Sequence, residues 1–95
     1  MPMVDNGTLE LFYLYDTDHN GQAYHPIHKF TTKNLFEYED YGLMIGCGKP
    51  EEPDLALGTG SVLKGQDGQY HCFYTGHNDV MGQKGFGKEC IMHAV

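Results

Sequence analysis

The chain has 95 residues, 40% of them hydrophobic, and a formal net charge of −7 from thirteen acidic against six basic residues. That length suits one small domain, which buries only about two-thirds of the surface its unfolded chain exposes. The acidic balance with scattered lysines speaks against nucleic acid, which needs clustered cations, and no apolar run reaches the roughly twenty residues of a membrane span.

Seven Tyr, five Phe and thirteen Gly favour a turn-rich β protein. No long window keeps a helical apolar period. The first expected strand is 8–15, "TLELFYLY", after an Asn6-Gly7 turn, and the second is 24–32, "YHPIHKFTT". Residues 33–38, "KNLFEY", are read as a helical turn. A short third strand, 42–46, leads into a Pro/Glu/Gly loop, 47–56. The fourth, 59–64, and fifth, 69–76, flank the hairpin turn Gln66-Asp67-Gly68. The sixth is 89–95, "ECIMHAV".

Residues 6–15 and 67–76 read alike. Each opens on a turn, Asn6-Gly7 or Asp67-Gly68, and each places Phe-Tyr at the same distance from it, Phe12-Tyr13 and Phe73-Tyr74. The following strands keep the parallel, with "HPIHKF" beside "ECIMHAV". Alternation puts Leu9, Leu11, Tyr13 and Tyr15 on one face and Phe12 and Leu14 on the other. Strands apolar on both sides belong between stacked layers. The expected structure is therefore a repeat of antiparallel sheets packed face to face, as in a propeller.

Chemistry-bearing residues carry weaker signals. Cys47, Cys72 and Cys90 are odd in number and lack C-x-x-C spacing, so free, mostly buried thiols are expected. With no secretory leader pattern, a cytoplasmic location is expected. His25 and His28 point to opposite faces of a strand, as do His71 and Cys72, so no metal or other cofactor is expected. The glycine-rich 81–89, "MGQKGFGKE", enters a strand rather than a helix and is read as a hairpin loop instead of a phosphate cradle.

"NGTLELFYLYD", "IHKFTTKNLFEYED", "GTGSV" and "GQYHCFYTGHN", in this order and spacing, resemble the first two blades of glycoside hydrolase family 32, the five-bladed β-propeller β-fructosidases. The resemblance spans nearly the whole chain. It implies an all-β, partial propeller of about one and a half to two blades. Residues 1–46 form the first blade, lacking most of its innermost strand, and 57–95 the second, incomplete at its end. Six or seven strands are expected.

The departures bear on activity. The family's catalytic Asp lies in a "D-P" motif upstream of the "NGT" position. Here Met1-Pro2-Met3-Val4 stands there instead, and Asp5 falls in the turn. The family's "R-D-P" motif and acid/base Glu follow the second blade. Glu89-Cys90 imitates the acid/base Glu and its following Cys, but sits in an outer-strand context. Asn34 and Tyr38 stand where the family has Asp and Trp. Catalytic residues are therefore expected to be none. The resemblance places Thr59 and Ser61 as substrate-binding positions, against their ordinary reading as strand-entry residues; Asp54, in the loop just before that strand, is a third candidate as an acceptor for sugar hydroxyls, against its ordinary reading as a solvated loop acid.

The implied function is a fragment of a β-fructosidase-type hydrolase for sucrose- or fructan-class carbohydrate, inactive alone. The alternative is a non-catalytic sugar-binding or assembly module. The related family 43 shares the propeller. A homo-oligomer, or a partner chain completing the ring, is expected to cover an aromatic face around Phe12, Tyr13, Phe73 and Tyr74.

Overall fold

The computed structural model describes residues 1–15, 24–79 and 89–95. The fold is all-β. Strands β1 (Pro2–Asp5), β2 (Thr8–Leu14), β3 (Ile27–Thr32) and β4 (Tyr38–Ile45) form one antiparallel sheet in chain order. Strands β5 (Ala56–Lys64), β6 (Tyr70–His77) and β7 (Glu89–Ala94) form a second. The expected strands are all present. A seventh, β1, joins them at Pro2–Asp5.

Turn chemistry sets these registers. Asn6 (φ 52°) and Gly7 (φ 78°) both adopt the left-handed conformation that a two-residue hairpin requires, and Asp5 then pairs with Thr8. In the β5–β6 turn, Gly68 (φ 80°) takes that conformation, while Asp67 Oδ1 accepts the Gln69 N–H at 2.9 Å.

The helical turn expected at 33–38 does not form. Leu35 sits at φ 68°, which a right-handed helix excludes. Asn34 Oδ1 accepts the N–H groups of Phe36 and Glu37, both at 2.9 Å, and Thr32 Oγ1 accepts that of Leu35 at 2.9 Å. Side-chain acceptors have replaced the carbonyls a helix would use. The glycine-rich 81–89 lies, except for Glu89, outside the described residues.

The core lies between the sheets, where Phe12 and Ile27 meet Leu57, Cys72 and Tyr74, with β5 lying over β1 and β2. The face of β2 turned inward is that of Glu10, Phe12 and Leu14, the smaller apolar set. Leu9, Leu11 and Tyr13 look outward and are half-buried, with Tyr13 packed on His28 and Phe30 at 5.8 Å between ring centres. The expected single aromatic face is thus corrected. Phe12 and Tyr74 are internal, whereas Tyr13 and Phe73 lie on opposite outer surfaces.

Among the described residues, β1–β3 of the first sheet correspond in order to β5–β7 of the second, and the β2–β3 and β6–β7 registers match. β2 and β6 are each the second strand of their sheet. Phe12 pairs with Lys29 and Phe73 with His93; Leu14 pairs with Ile27 and Thr75 with Ile91. On the opposite faces, Tyr13 pairs with His28 and Tyr74 with Met92. Corresponding side chains point the same way along the stack, so the sheets are related head-to-tail.

Candidate functional site

The substrate-binding positions suggested by the sequence lie around β5. Thr59 and Ser61 are exposed neighbours on its outer side, and Ser61 pairs with Phe73. The register slips by one residue between Leu57 and Gly60, so Thr59 belongs to a bulge. Its carbonyl accepts the Thr75 hydroxyl at 3.4 Å. Gly60 sustains a close approach of the neighbouring strand's backbone: a Cβ there would lie 1.8 Å from the Phe73 carbonyl oxygen.

Asp54 is held differently. Its carboxylate lies near the Tyr74 phenol and, after burial, is a cause of the raised Tyr74 pKa. Burial and then Asp54 likewise raise the Cys47 thiol, whose Sγ donates to the Tyr24 carbonyl at 3.2 Å. The Asp54 carbonyl accepts the Gly48 N–H at 2.8 Å. Asp54 is thereby an anchor of the 47–56 loop and is turned toward the inner face, whereas Thr59 and Ser61 face outward.

Asn78, 1% exposed, holds the same loop. Its amide donates to the carbonyls of Pro50 at 2.9 Å and Glu52 at 2.8 Å. All three cysteines are free; Cys72 is buried, and desolvation raises its pKa, keeping the thiol protonated. No group of three or more His, Cys, Asp or Glu that could hold a metal ion is found among the described residues.

At the hairpin-turn end of the sheets lies a polar network that the sequence reading missed. Tyr70, on β6, places its hydroxyl against Asp5 Oδ2 at 2.6 Å and against Glu10 Oε2. Lys29 Nζ reaches Glu10 Oε1 at 3.1 Å, and Lys64 Nζ reaches Asp5 at 3.4 Å. Lys29 also lies over the rings of Tyr41 (4.7 Å) and Phe12 (5.7 Å). Two carboxylates and two ammonium groups meet around one phenol, so the network is charge-balanced while Glu10 is only 7% exposed.

The electrostatics follow from that geometry. Burial, then hydrogen bonds to Asp5 and Glu10, push the Tyr70 phenol well above its ordinary value. The Tyr70 hydrogen bond, assisted by Lys64, holds the Asp5 carboxyl below the usual carboxylate range. The signal for this network was present in the alternation. Glu10 falls in phase with Phe12 and Leu14, and Lys29 in phase with Ile27, so adjacent strands carry opposite charges on their inward faces.

No known family model and no curated protein matches this chain.

Beside the network opens a cleft of about 640 Å³, lined in part by Asp5, Thr31, Asn34, Glu37, Tyr38 and Tyr41. Carboxylates, amide and hydroxyls beside two phenol rings provide hydrogen-bonding groups and flat apolar faces.

Proposed function

We propose that the chain is a pair of neighbouring blades of a β-propeller related to the β-fructosidases, and that it handles carbohydrate without hydrolysing it alone. The observation that carries this reading is the register-matched repeat, Phe12 across from Lys29 and Phe73 across from His93, in the same strand of successive sheets. Stacked four-stranded meanders in head-to-tail order are the building principle of propellers.

The reading assigns no catalytic residue. Retaining hydrolysis needs a nucleophilic carboxylate and a proton-donating carboxyl roughly 5–5.5 Å apart on either side of the scissile bond. Asp5 and Glu10 do converge, but on Tyr70 and two lysines, which already engage both carboxylates. Two places carry suitable binding chemistry: the Thr59 and Ser61 hydroxyls on β5, and the cleft beside Asn34 and Glu37.

Calorimetric titration with sucrose, inulin and levan, alongside arabinan and xylan, tests the reading. Saturable heat from a fructoside with no reducing sugar released is expected. Ser61→Ala and Glu37→Gln then report which place binds. Released reducing sugar overturns the absence of a catalytic pair, and no heat from any of the five overturns the carbohydrate reading.

A further inference from the structure

We infer that copies of this chain associate head-to-tail, the outer face of the second sheet in one copy receiving the outer face of the first sheet in the next. The inference rests on reading the two sheets as successive repeats.

Each outer face duplicates an inner face whose packing partner is already known. On the second sheet, Phe73, Ile91, His93 and His71 stand where the first sheet has Phe12, Ile27, Lys29 and Glu10. The latter four turn toward the second sheet. On the first sheet, Tyr13, Leu11, Leu9 and His28 stand where the second has Tyr74, Cys72, Tyr70 and Met92, which turn toward the first. The internal contact is therefore a template: the surface bearing Phe73 fits a surface of the kind that bears Tyr13.

The polar centre changes in step on both sides. Inside the chain, the Glu10–Lys29 ion pair meets the Tyr70 hydroxyl. In the duplicate, His71 and His93 replace the ion pair, hydrogen-bonded at 3.0 Å, and Leu9 replaces the tyrosine. The two imidazoles satisfy each other, and His71 is held in addition by Asp67 at 3.1 Å, so they need no hydroxyl from the facing surface, and the loss on one face suits the loss on the other. His93 also stacks on Phe73 at 4.6 Å between ring centres, which flattens the surface for a second sheet.

The occupant is another copy because the two faces lie on opposite sides of the two-sheet stack and cannot meet within one molecule. Ile91, 85% exposed, and Val4, 69% exposed, leave apolar surface bare on either side. Such an interface is heterologous, with different surfaces on the two partners, so it builds chains or closes into rings.

Sedimentation of the full chain and two variants tests this. Ile91→Arg blocks the second-sheet face and Tyr13→Arg the first-sheet face; Val4→Arg replaces Tyr13→Arg if circular dichroism shows the latter unfolded. The wild type is expected to grow in mass with concentration, and each variant alone to remain monomeric. An equimolar mixture of the two is expected to form a dimer and nothing larger, because each retains one good face. A monomeric wild type, a variant that still associates alone, or a mixture that stays monomeric overturns the inference. Sugar binding by a monomeric wild type with cross-strand contacts Phe12–Lys29 and Phe73–His93 intact in nuclear magnetic resonance spectra leaves the proposed function standing. Loss of those contacts overturns both.

Discussion

Phe12 and Phe73 hold the same place in their sheets, each in the second strand and each across from a basic side chain of the third, Lys29 or His93. Yet Phe12 is 7% exposed and Phe73 42%. One is covered by the second sheet, and no described strand covers the other. The same Phe-Tyr pair has met two environments.

Ile27 and Ile91 make the contrast measurable. Ile27 is fully buried and Ile91 is 85% exposed at the corresponding position. Under conditions where the chain is monomeric, Ile27→Ala is expected to cost about 2–5 kcal/mol and Ile91→Ala to stay within about 0.5 kcal/mol. Urea unfolding of the two variants checks this; equal losses would contradict the assigned burial.

Gly60→Ala is expected to destabilise by about 1–3 kcal/mol or more, because the new methyl group meets the β6 backbone and the strands must separate. Gly46→Ala is the control: its nearest neighbour, a Leu43 methyl, lies at an ordinary 3.9 Å. Thermal unfolding of both is the measurement. A Gly60→Ala protein as stable as the control would mean that the bulge at Thr59 is misplaced.

Lys29→Met leaves the Glu10 carboxylate buried without its cation and is expected to cost about 3–5 kcal/mol. Adding Glu10→Gln removes the uncompensated charge, so the double variant is expected to be more stable than Lys29→Met alone. Tyr70→Phe strips the shared hydroxyl and is expected to cost about 1–3 kcal/mol. Denaturant unfolding of the set reads the coupling, and additive effects would show the groups to be independent.

The pH profile has two limbs. Asp5 and Asp67 both have folded pKa values depressed below 3.8, Asp5 chiefly by Tyr70 and Asp67 chiefly by the Gln69 N–H. Their contribution is present above that value and lost as pH falls through the folded values. Tyr70 and Tyr74 are raised above 10, both first by burial. Their contribution is complete below pH 10 and lost as pH rises toward the folded values, so stability is expected to decline in alkali. Tyrosinate absorbance followed with unfolding checks this limb: Tyr70→Phe is expected to flatten it, and an unchanged alkaline limb would contradict the Tyr70 assignment.

Much of the fold was legible because its signals are local. Asn6-Gly7 and Asp67-Gly68 announce hairpins through the left-handed backbone they accept, and alternating aromatics between them specify strands. The expected helical turn at 33–38 is absent because the Asn34 side chain outcompetes the backbone acceptors. The candidate site was less legible. Asp54 carries no mark in its sequence that it faces Tyr74, and Tyr70 none that it joins Asp5 to Glu10, since these partners come from separate strands and from the opposite sheet.

The chain's own residues determined the hairpin turns at Asn6-Gly7 and Asp67-Gly68 and the repeated Phe-Tyr pattern, which arise within a few residues of one another. Tertiary structure alone decided which face of each strand is interior. A two-residue period marks both faces of β2 as apolar, and only the arrival of β5 and β6 over Phe12, rather than over Tyr13, removes one of them from water.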